Sequence, residues 1–308
     1  MTPATLPWIS ADEVFARVNF DAAVRAVQRD LRAGLDPARD FSRSILNVAH
    51  GQLLLMPTQS PEFVGIKVAT VAPGNQALGK ARIQGVYLLM DAATLSPIAV
   101  MDGAALTTLR TPAISAAVAD YLAPSHVDHL VVFGSGPQAW GHIEAMQAIR
   151  MVERVTIVAR DPGRAAALAS RVQAGGVNSR VGCADDVRDA QLIVCATTAR
   201  TPLFDGSLVP DDSLSVAVGA HEADARELDS ALILRAQVVV EDCAVALNEA
   251  GDVLIPIGEG VIDPDSLVPM RDIITCSTLV DHGRPRVFKS SGMSWEDLVI
   301  AAEVFRGG

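Results

Sequence analysis

The segment Leu130-Val-Val-Phe-Gly134-Ser135-Gly136-Pro137-Gln138-Ala139-Trp140-Gly141 sets glycines where a strand would turn into a helix. The chemistry this allows is phosphate binding by backbone. Gly134 permits the tight turn, Gly136 lets the main chain approach a pyrophosphate that a side chain would block, and Ala139 takes the third small position, where helix and strand pack closely. A helix opening at Pro137 aims free N–H groups and a partial positive charge at the phosphates, and proline in the first turn gives up no needed hydrogen bond. A lone glycine pattern is weak. Here a continuous apolar strand over residues 129–133 precedes it, a helix over 137–149 follows, and a second strand over 155–159 comes about 20 residues on, which is the setting that dinucleotide binding requires.

That second strand ends in Ala159-Arg160-Asp161. An NAD site usually puts Asp or Glu there for the ribose 2′-hydroxyl, whereas an arginine pairs with a 2′-phosphate. Arg160, with Arg164 behind it, favours NADP(H). NAD(H) stays open through Asp161, should its carboxylate turn to the ribose.

The elements that must carry this turn are legible around it. From about 121 to 280, apolar strands at 129–133, 155–159, 192–196, 214–218 and 238–241 alternate with helical stretches at 137–149 and 165–172. The fold class is α/β, with a doubly wound parallel sheet. Residues 1–120 have another rhythm. Ser10-Ala-Asp-Glu13 is a capping box that opens one helical period through Val14, Val18, Val24, Val27 and Leu31, stopped by Gly34 and Pro37. Strand-like runs at 52–56, 64–71, 84–91 and 97–101 follow, bounded by Gly and Pro, and predict an antiparallel or mixed sheet, hence an α+β domain. Residues 281–308 are too short for a domain of their own and return to the first; Ser294 reads as a helix cap with Asp297 three residues on.

Composition agrees with two domains. The 308 residues are 50% hydrophobic but 4% aromatic, so the core is Ala, Val, Leu and Ile. A net charge of -11 with no basic run disfavours nucleic acid. No apolar run reaches the roughly 20 residues of a membrane span, and the N-terminus has no leader pattern. Cys183, Cys195, Cys243 and Cys276 lack metal-ligand spacing. The expectation is a cytoplasmic protein with reduced cysteines and no metal.

Beyond the turn, the stretches Lys67-Val-Ala-Thr-Val, Leu109-Arg110-Thr111-Pro-Ala-Ile-Ser-Ala, Val218-Gly219-Ala220 with Arg226-Glu-Leu-Asp229, and Phe288-Lys-Ser-Ser-Gly-Met293 occur in an order that resembles the ornithine cyclodeaminase/mu-crystallin family. The resemblance runs from residue 43 to 293. It implies a dinucleotide (Rossmann) domain set between the two parts of a substrate and dimerisation domain, and a homodimer. It implies a substrate carboxylate held by Arg43, Lys67 and Arg110. Amino, keto and imino acids all carry a carboxylate beside the reacting carbon, and a bidentate arginine fixes its plane. Lys67 binds that carboxylate or, with its pKa lowered by neighbouring arginines, gives a proton. The cofactor-contacting set is expected to be Thr111, Gly134, Ser135, Gly136, Gln138, Ala139, Arg160, Arg164, Thr197, Val218, Gly219, Ser290 and Gly292.

The chain departs from the family at His221, where cyclodeaminases and related alanine dehydrogenases have an Asp two residues after the glycine matching Gly219. An imidazole cannot pair with a substrate ammonium as that Asp does, but it can protonate an imine nitrogen. His221 is therefore a second candidate proton donor, with Glu222 and Asp224 as alternatives. The expected activity is NAD(P)H-dependent reduction of a C=N bond next to a carboxylate, on a cyclic ketimine such as pyrroline- or piperideine-2-carboxylate or an imine of a 2-keto acid and an amine. An NAD-using ornithine cyclodeaminase or amino-acid dehydrogenase, and a non-catalytic ligand carrier of the mu-crystallin type, are the alternatives.

Overall fold

The computed structural model describes residues 5–307, apart from the side chain of Gln76. The chain splits into two compact units, Met1–Thr111 with Gly292–Gly308, and Pro112–Ser291.

The first unit contains β1 (Trp8–Ile9), α1 (Ala11–Arg17), α2 (Phe20–Arg32), β2 (Ser44–Val48), β3 (Gly51–Gln59), β4 (Phe63–Val71), β5 (Ile83–Asp91), β6 (Pro97–Asp102) and the start of α3 (Gly103–Leu122). The strands form a six-stranded sheet in the order β1-β6-β5-β4-β3-β2. It is antiparallel except for the β1–β6 pair. β1 and β2 were not foreseen; β1 is two residues long and pairs with Val100 and Met101.

Two helix expectations need correction. The single helix after Ser10 is two. Val18 is extended, and the Asn19 side chain accepts the Ala22 N–H, so a fresh cap restarts the chain as α2. Arg110, ahead of Thr111-Pro112, also reads as a helix start, but no helix begins there. α3 starts at Gly103, where the Asp102 carboxylate accepts the Ala105 N–H at 2.8 Å, and it carries Pro112 inside it. A mid-helix proline costs about 3 kcal/mol; the near-complete burial of this helix offsets it.

The second unit holds β7 (Val127–Phe133), α4 (Pro137–Ile149), β8 (Val152–Val158), α5 (Pro162–Ala174), β9 (Asn178–Val181), β10 (Leu192–Cys195), β11 (Leu214–Ala217), α6 (Ser230–Arg235), β12 (Gln237–Val240), α7 (Cys243–Glu249), α8 (Gly251–Gly258), β13 (Val268–Pro269), α9 (Met270–Ile274) and β14 (Arg286–Lys289). Its eight-stranded sheet is ordered β13-β12-β14-β11-β10-β7-β8-β9 and is parallel throughout. The fold class is thus the α/β doubly wound one. β14 lies between β11 and β12 with all four residues buried. That insertion takes residues up to Ser291 into this unit, so the division falls there and at Thr111 rather than at 280 and 120.

The chain returns to the first unit as α10 (Ser294–Arg306), which packs on β3, β4, β5 and α2. Its cap is Met293, not Ser294. The Met293 N–H donates to Glu296 Oε1 at 2.9 Å, so Glu296 and not Asp297 closes the first turn. Among the described residues no helix is long and apolar enough to cross a membrane.

His142, on α4, is fully buried. A carbonyl can only accept, so Nδ1 donates to Gln138 O at 2.8 Å and Nε2 takes the Ser115 hydroxyl at 3.0 Å. Burial, opposed by the Gln138 bond, lowers its pKa from 6.5 to about 4. In the unfolded chain the imidazole gains a proton near 6.5, in the folded chain only near 4. Its contribution is therefore complete above pH 6.5 and lost as pH falls toward 4, about 3 kcal/mol in all. Urea unfolding between pH 7 and 4 should show this loss, and a His142→Gln variant should flatten the slope.

Candidate functional site

In the first unit the buried residues of β4 alternate: Phe63, Gly65, Lys67 and Ala69 face inward. A lysine at such a position needs a partner, since an unpaired buried ammonium is costly. Lys67 is 3% exposed and lies in a cross-strand row with Met56, Tyr87 and Met101. Its Nζ donates to Asp297 Oδ2 at 2.7 Å and to Thr107 Oγ1 at 3.3 Å. Burial pulls its pKa below the usual lysine range; Asp297 pushes it back up, and Arg110 pulls it down again.

Arg110 stands beside it on α3. Its guanidinium donates to Glu296 at 2.5 Å and lies 3.7 Å from Asp297 Oδ1. Arg43, before β2, donates to the Gly292 carbonyl at 3.2 Å. Gly292 has φ +80°, and a Cβ there would meet both terminal nitrogens of Arg110 at 2.9 Å. One glycine thus joins the two arginines. The three expected cations are brought together, and the structure adds Thr107, Glu296 and Asp297. Three cations and two carboxylates leave one net positive charge among these five ionic side chains, the sign a substrate carboxylate needs. Thr111 is buried one residue past Arg110.

Sequence reading missed the two acids. The available signal was their adjacency in a largely apolar helix. The five residues after them, Leu298 to Ala302, are all apolar, and a helix that is apolar all round is buried with whatever charges it carries; both acids are 0% exposed.

The second unit carries the glycine turn. Gly134 has φ +119°, and a Cβ on it would sit 2.5 Å from the Ala196 carbonyl oxygen. Gly136 is the N-cap of α4, where no side-chain hydrogen bond caps the helix and a Cβ would enter open space. Open backbone at a helix N-terminus fits a pyrophosphate. Gly134→Ala should therefore cost about 1–3 kcal/mol in backbone strain alone and weaken binding of the reduced dinucleotide at least tenfold, as fluorescence titration would read. Ala139 is fully buried against the sheet, and Gln138 and Ser135 lie at the same turn.

Asp161 is the N-cap of α5: Oδ1 accepts the Gly163 and Arg164 N–H groups at 2.9 and 3.1 Å. Arg160 is exposed and reaches Thr198 at 3.5 Å. The loops after β10 and β11 rest on a buried ionic network. Glu227 accepts the Thr197 N–H at 2.9 Å, the Thr197 hydroxyl at 2.7 Å and the Gly219 N–H at 2.7 Å. Its pKa is raised by burial, against the pull of Lys289. Lys289 lies 3.1 Å from Asp252 and donates to the Ala220 carbonyl, and Asp252 accepts the Glu227 and Leu228 N–H groups. Thr197 and Gly219 are thus fixed by Glu227, while the Val218 N–H donates to the Cys195 carbonyl at 2.9 Å. Ser290 donates to Glu241 at 2.5 Å. His221 is exposed in the loop after β11, and the neighbouring Glu222 and Asp224 both pair with Arg200.

A parallel doubly wound sheet with this glycine turn is the frame of an NAD(P)-dependent oxidoreductase. Residues 9–306 match the model of the ornithine cyclodeaminase/mu-crystallin family, and the chain belongs to that family. It is 31% identical to a Delta(1)-pyrroline-2-carboxylate reductase of Colwellia psychrerythraea, covering 96% of this chain and 97% of the relative. It is 33% identical to the mouse (Mus musculus) ketimine reductase mu-crystallin, covering 85% and 83%. Among solved structures, Thermococcus litoralis Delta(1)-pyrroline-2-carboxylate reductase in complex with NADH and L-proline superposes with a TM-score of 0.92 at 27% identity, covering 98% of this chain and 97% of that one.

Proposed function

We propose that this protein is an NAD(P)H-dependent reductase of a C=N bond adjacent to a carboxylate, acting on cyclic ketimines such as pyrroline-2-carboxylate or piperideine-2-carboxylate. The observation that carries this reading is the cluster in which Arg43, Lys67 and Arg110 converge on Gly292 and Asp297. The relatives named as pyrroline-2-carboxylate and ketimine reductases support it.

In this reading Arg110 and Arg43 take the substrate carboxylate, and the reduced dinucleotide supplies a hydride to the imine carbon. Lys67 gives a proton to the imine nitrogen, so the C=N bond becomes CH–NH. Lys67 is preferred to His221 as donor because it is buried beside the acids that hold its charge, whereas His221 is exposed. His221 in place of an aspartate speaks against deamination of ornithine.

NADP(H) is the favoured cofactor. The Asp161 oxygen that caps α5 is engaged with backbone, while Arg160 is exposed beside it. Arg160→Ala should raise KM for NADPH at least tenfold and leave KM for NADH within about twofold, since only the former has a 2′-phosphate. Equal effects on both would remove this preference. The homodimer is proposed on edge strand β2, whose Ile45, Leu46 and Val48 are all exposed; sedimentation at the mass of one chain would exclude it.

The test of the function itself is oxidation of NADPH and of NADH against cyclic imino acids and against 2-keto acid plus amine. Turnover with a cyclic imino acid and NADPH is expected. Formation of proline from ornithine without added reductant would overturn the reading.

A further inference from the structure

The chain has only three lysines, Lys67, Lys80 and Lys289. Two of them are buried, and each of those faces a fully buried aspartate: Lys67 with Asp297 at 2.7 Å in the first unit, Lys289 with Asp252 at 3.1 Å in the second. Removing a lysine and its counter-ion from water costs several kcal/mol per ion. The proposed reaction gives the Lys67 pair a use that packing alone does not.

We propose that Asp297 is a positioning residue for the reduction: its carboxylate holds the Lys67 ammonium in place and charged, so that Lys67 can deliver its proton. The proposal rests on the reading of Lys67 as the donor. The geometry supplies the argument. Asp297 gives Oδ2 to Lys67, and its Oδ1 has no hydrogen bond among the described residues and looks toward Arg110 Nε at 3.7 Å. One carboxylate therefore lies between the proposed donor and the proposed carboxylate clamp. Asp297 sits on the first turn of α10, one residue past Glu296, which both caps that helix and binds Arg110. A shift of α10 would move the two cations together.

The groups around Lys67 come from three elements. α10 brings Asp297 and Glu296, both of which favour the ammonium. α3 brings Arg110, which opposes it, and the Thr107 hydroxyl. β5 brings Tyr87, a fully buried phenol whose hydroxyl has no hydrogen bond among the described residues and whose pKa is raised by burial, then by Asp297 and by Asp40, which precedes β2. A neutral Tyr87 adds no charge. Without the Asp297 charge, burial and Arg110 are opposed by Glu296 alone, and the ammonium gives up its proton at lower pH.

Three lysines make the test direct. Protein grown on lysine labelled with ¹³C at Cε gives three signals, which Lys80→Arg and Lys67→Arg assign. Asp297→Asn is expected to lower the Lys67 titration midpoint by about 1–3 pH units, the usual effect of one close opposite charge. The Lys80 signal, on an exposed side chain, should not move. The alkaline limb of kcat/KM for the cyclic imino acid should fall with the Lys67 midpoint. An unmoved midpoint overturns the proposal. A midpoint that moves while the limb stays overturns Lys67 as donor and reduces Asp297 to a structural ion pair. Absence of imine reduction in the unaltered enzyme would instead overturn the proposed function, while the NMR titration would still report the pair. Should Asp297→Asn not fold, Asp297→Glu displaces the same charge by one methylene. It is expected to lower kcat at least tenfold with the limb nearly in place, and unchanged kcat would overturn the positioning role.

Discussion

Arg110→Ala is expected to raise KM for the imino acid by about two orders of magnitude while kcat changes less than about fivefold. A bidentate, charge-assisted contact is worth about 3 kcal/mol, and every 1.4 kcal/mol is a factor of ten. The carboxylate is present in substrate and transition state alike, so the loss falls on binding. The variant has a second consequence. Arg110 is a cationic neighbour of two fully buried acids, Glu296 at 2.5 Å and Asp297 at 3.7 Å. Taking one member from a buried pair costs about 3–5 kcal/mol, so unfolding in urea should begin at a lower concentration. Arg110→Lys separates the two effects. It keeps a charge against Glu296 but not the planar fork, and should recover stability more than KM. Steady-state kinetics at saturating NADPH, read beside urea curves, distinguishes them; an unchanged KM in Arg110→Ala removes the carboxylate clamp.

Lys289→Met should destabilise the second unit by about 3–5 kcal/mol, a large part of the 5–15 kcal/mol that holds an ordinary domain. Methionine fills the volume but leaves Asp252 buried without its cation. Asp252 cannot turn away, because its other oxygen accepts the Glu227 and Leu228 N–H groups at 2.7 and 2.9 Å. The Ala220 carbonyl also loses its donor. Adding Asp252→Asn removes the stranded charge and keeps an oxygen for those N–H groups, so the double variant should regain about half the loss. The midpoint of urea unfolding should fall at constant m-value. A midpoint within experimental error of the unaltered protein would show that this network does not support the unit.

Much of this was legible in the residues, for reasons that differ from place to place. The glycine turn could be read because its requirement is local: positive φ at Gly134 and open space at Gly136 follow from a strand meeting a helix. The expected strands of the second sheet were found within a few residues because buried parallel strands read as unbroken apolar runs. β14 was not assigned to that sheet. Nothing in Arg286-Val-Phe-Lys289 says that it slots between two strands made earlier in the chain. The break at Asn19 was hidden because the apolar period continues across it, while a cap depends on one side-chain bond.

The candidate site divides in the same way. Lys67 announced itself as a charge in an apolar run. Its partner did not, because Asp297 lies 230 residues away and periodicity has no reach at that separation. Asp161 could not be given a direction from sequence; its bonds to Gly163 and Arg164 supply one. Gly292, expected against the cofactor, has the two arginines as its neighbours.

Whether the protein reduces a cyclic imine is read from the product of one reaction. Purified protein, NADPH and Δ1-piperideine-2-carboxylate are combined, and both NADPH and the saturated ring acid are quantified. One pipecolate is expected for each NADPH oxidised, with the rate falling at alkaline pH as Lys67 loses its proton. Binding of NADPH without its oxidation, across cyclic and open-chain imino acids alike, would rule out imine reduction.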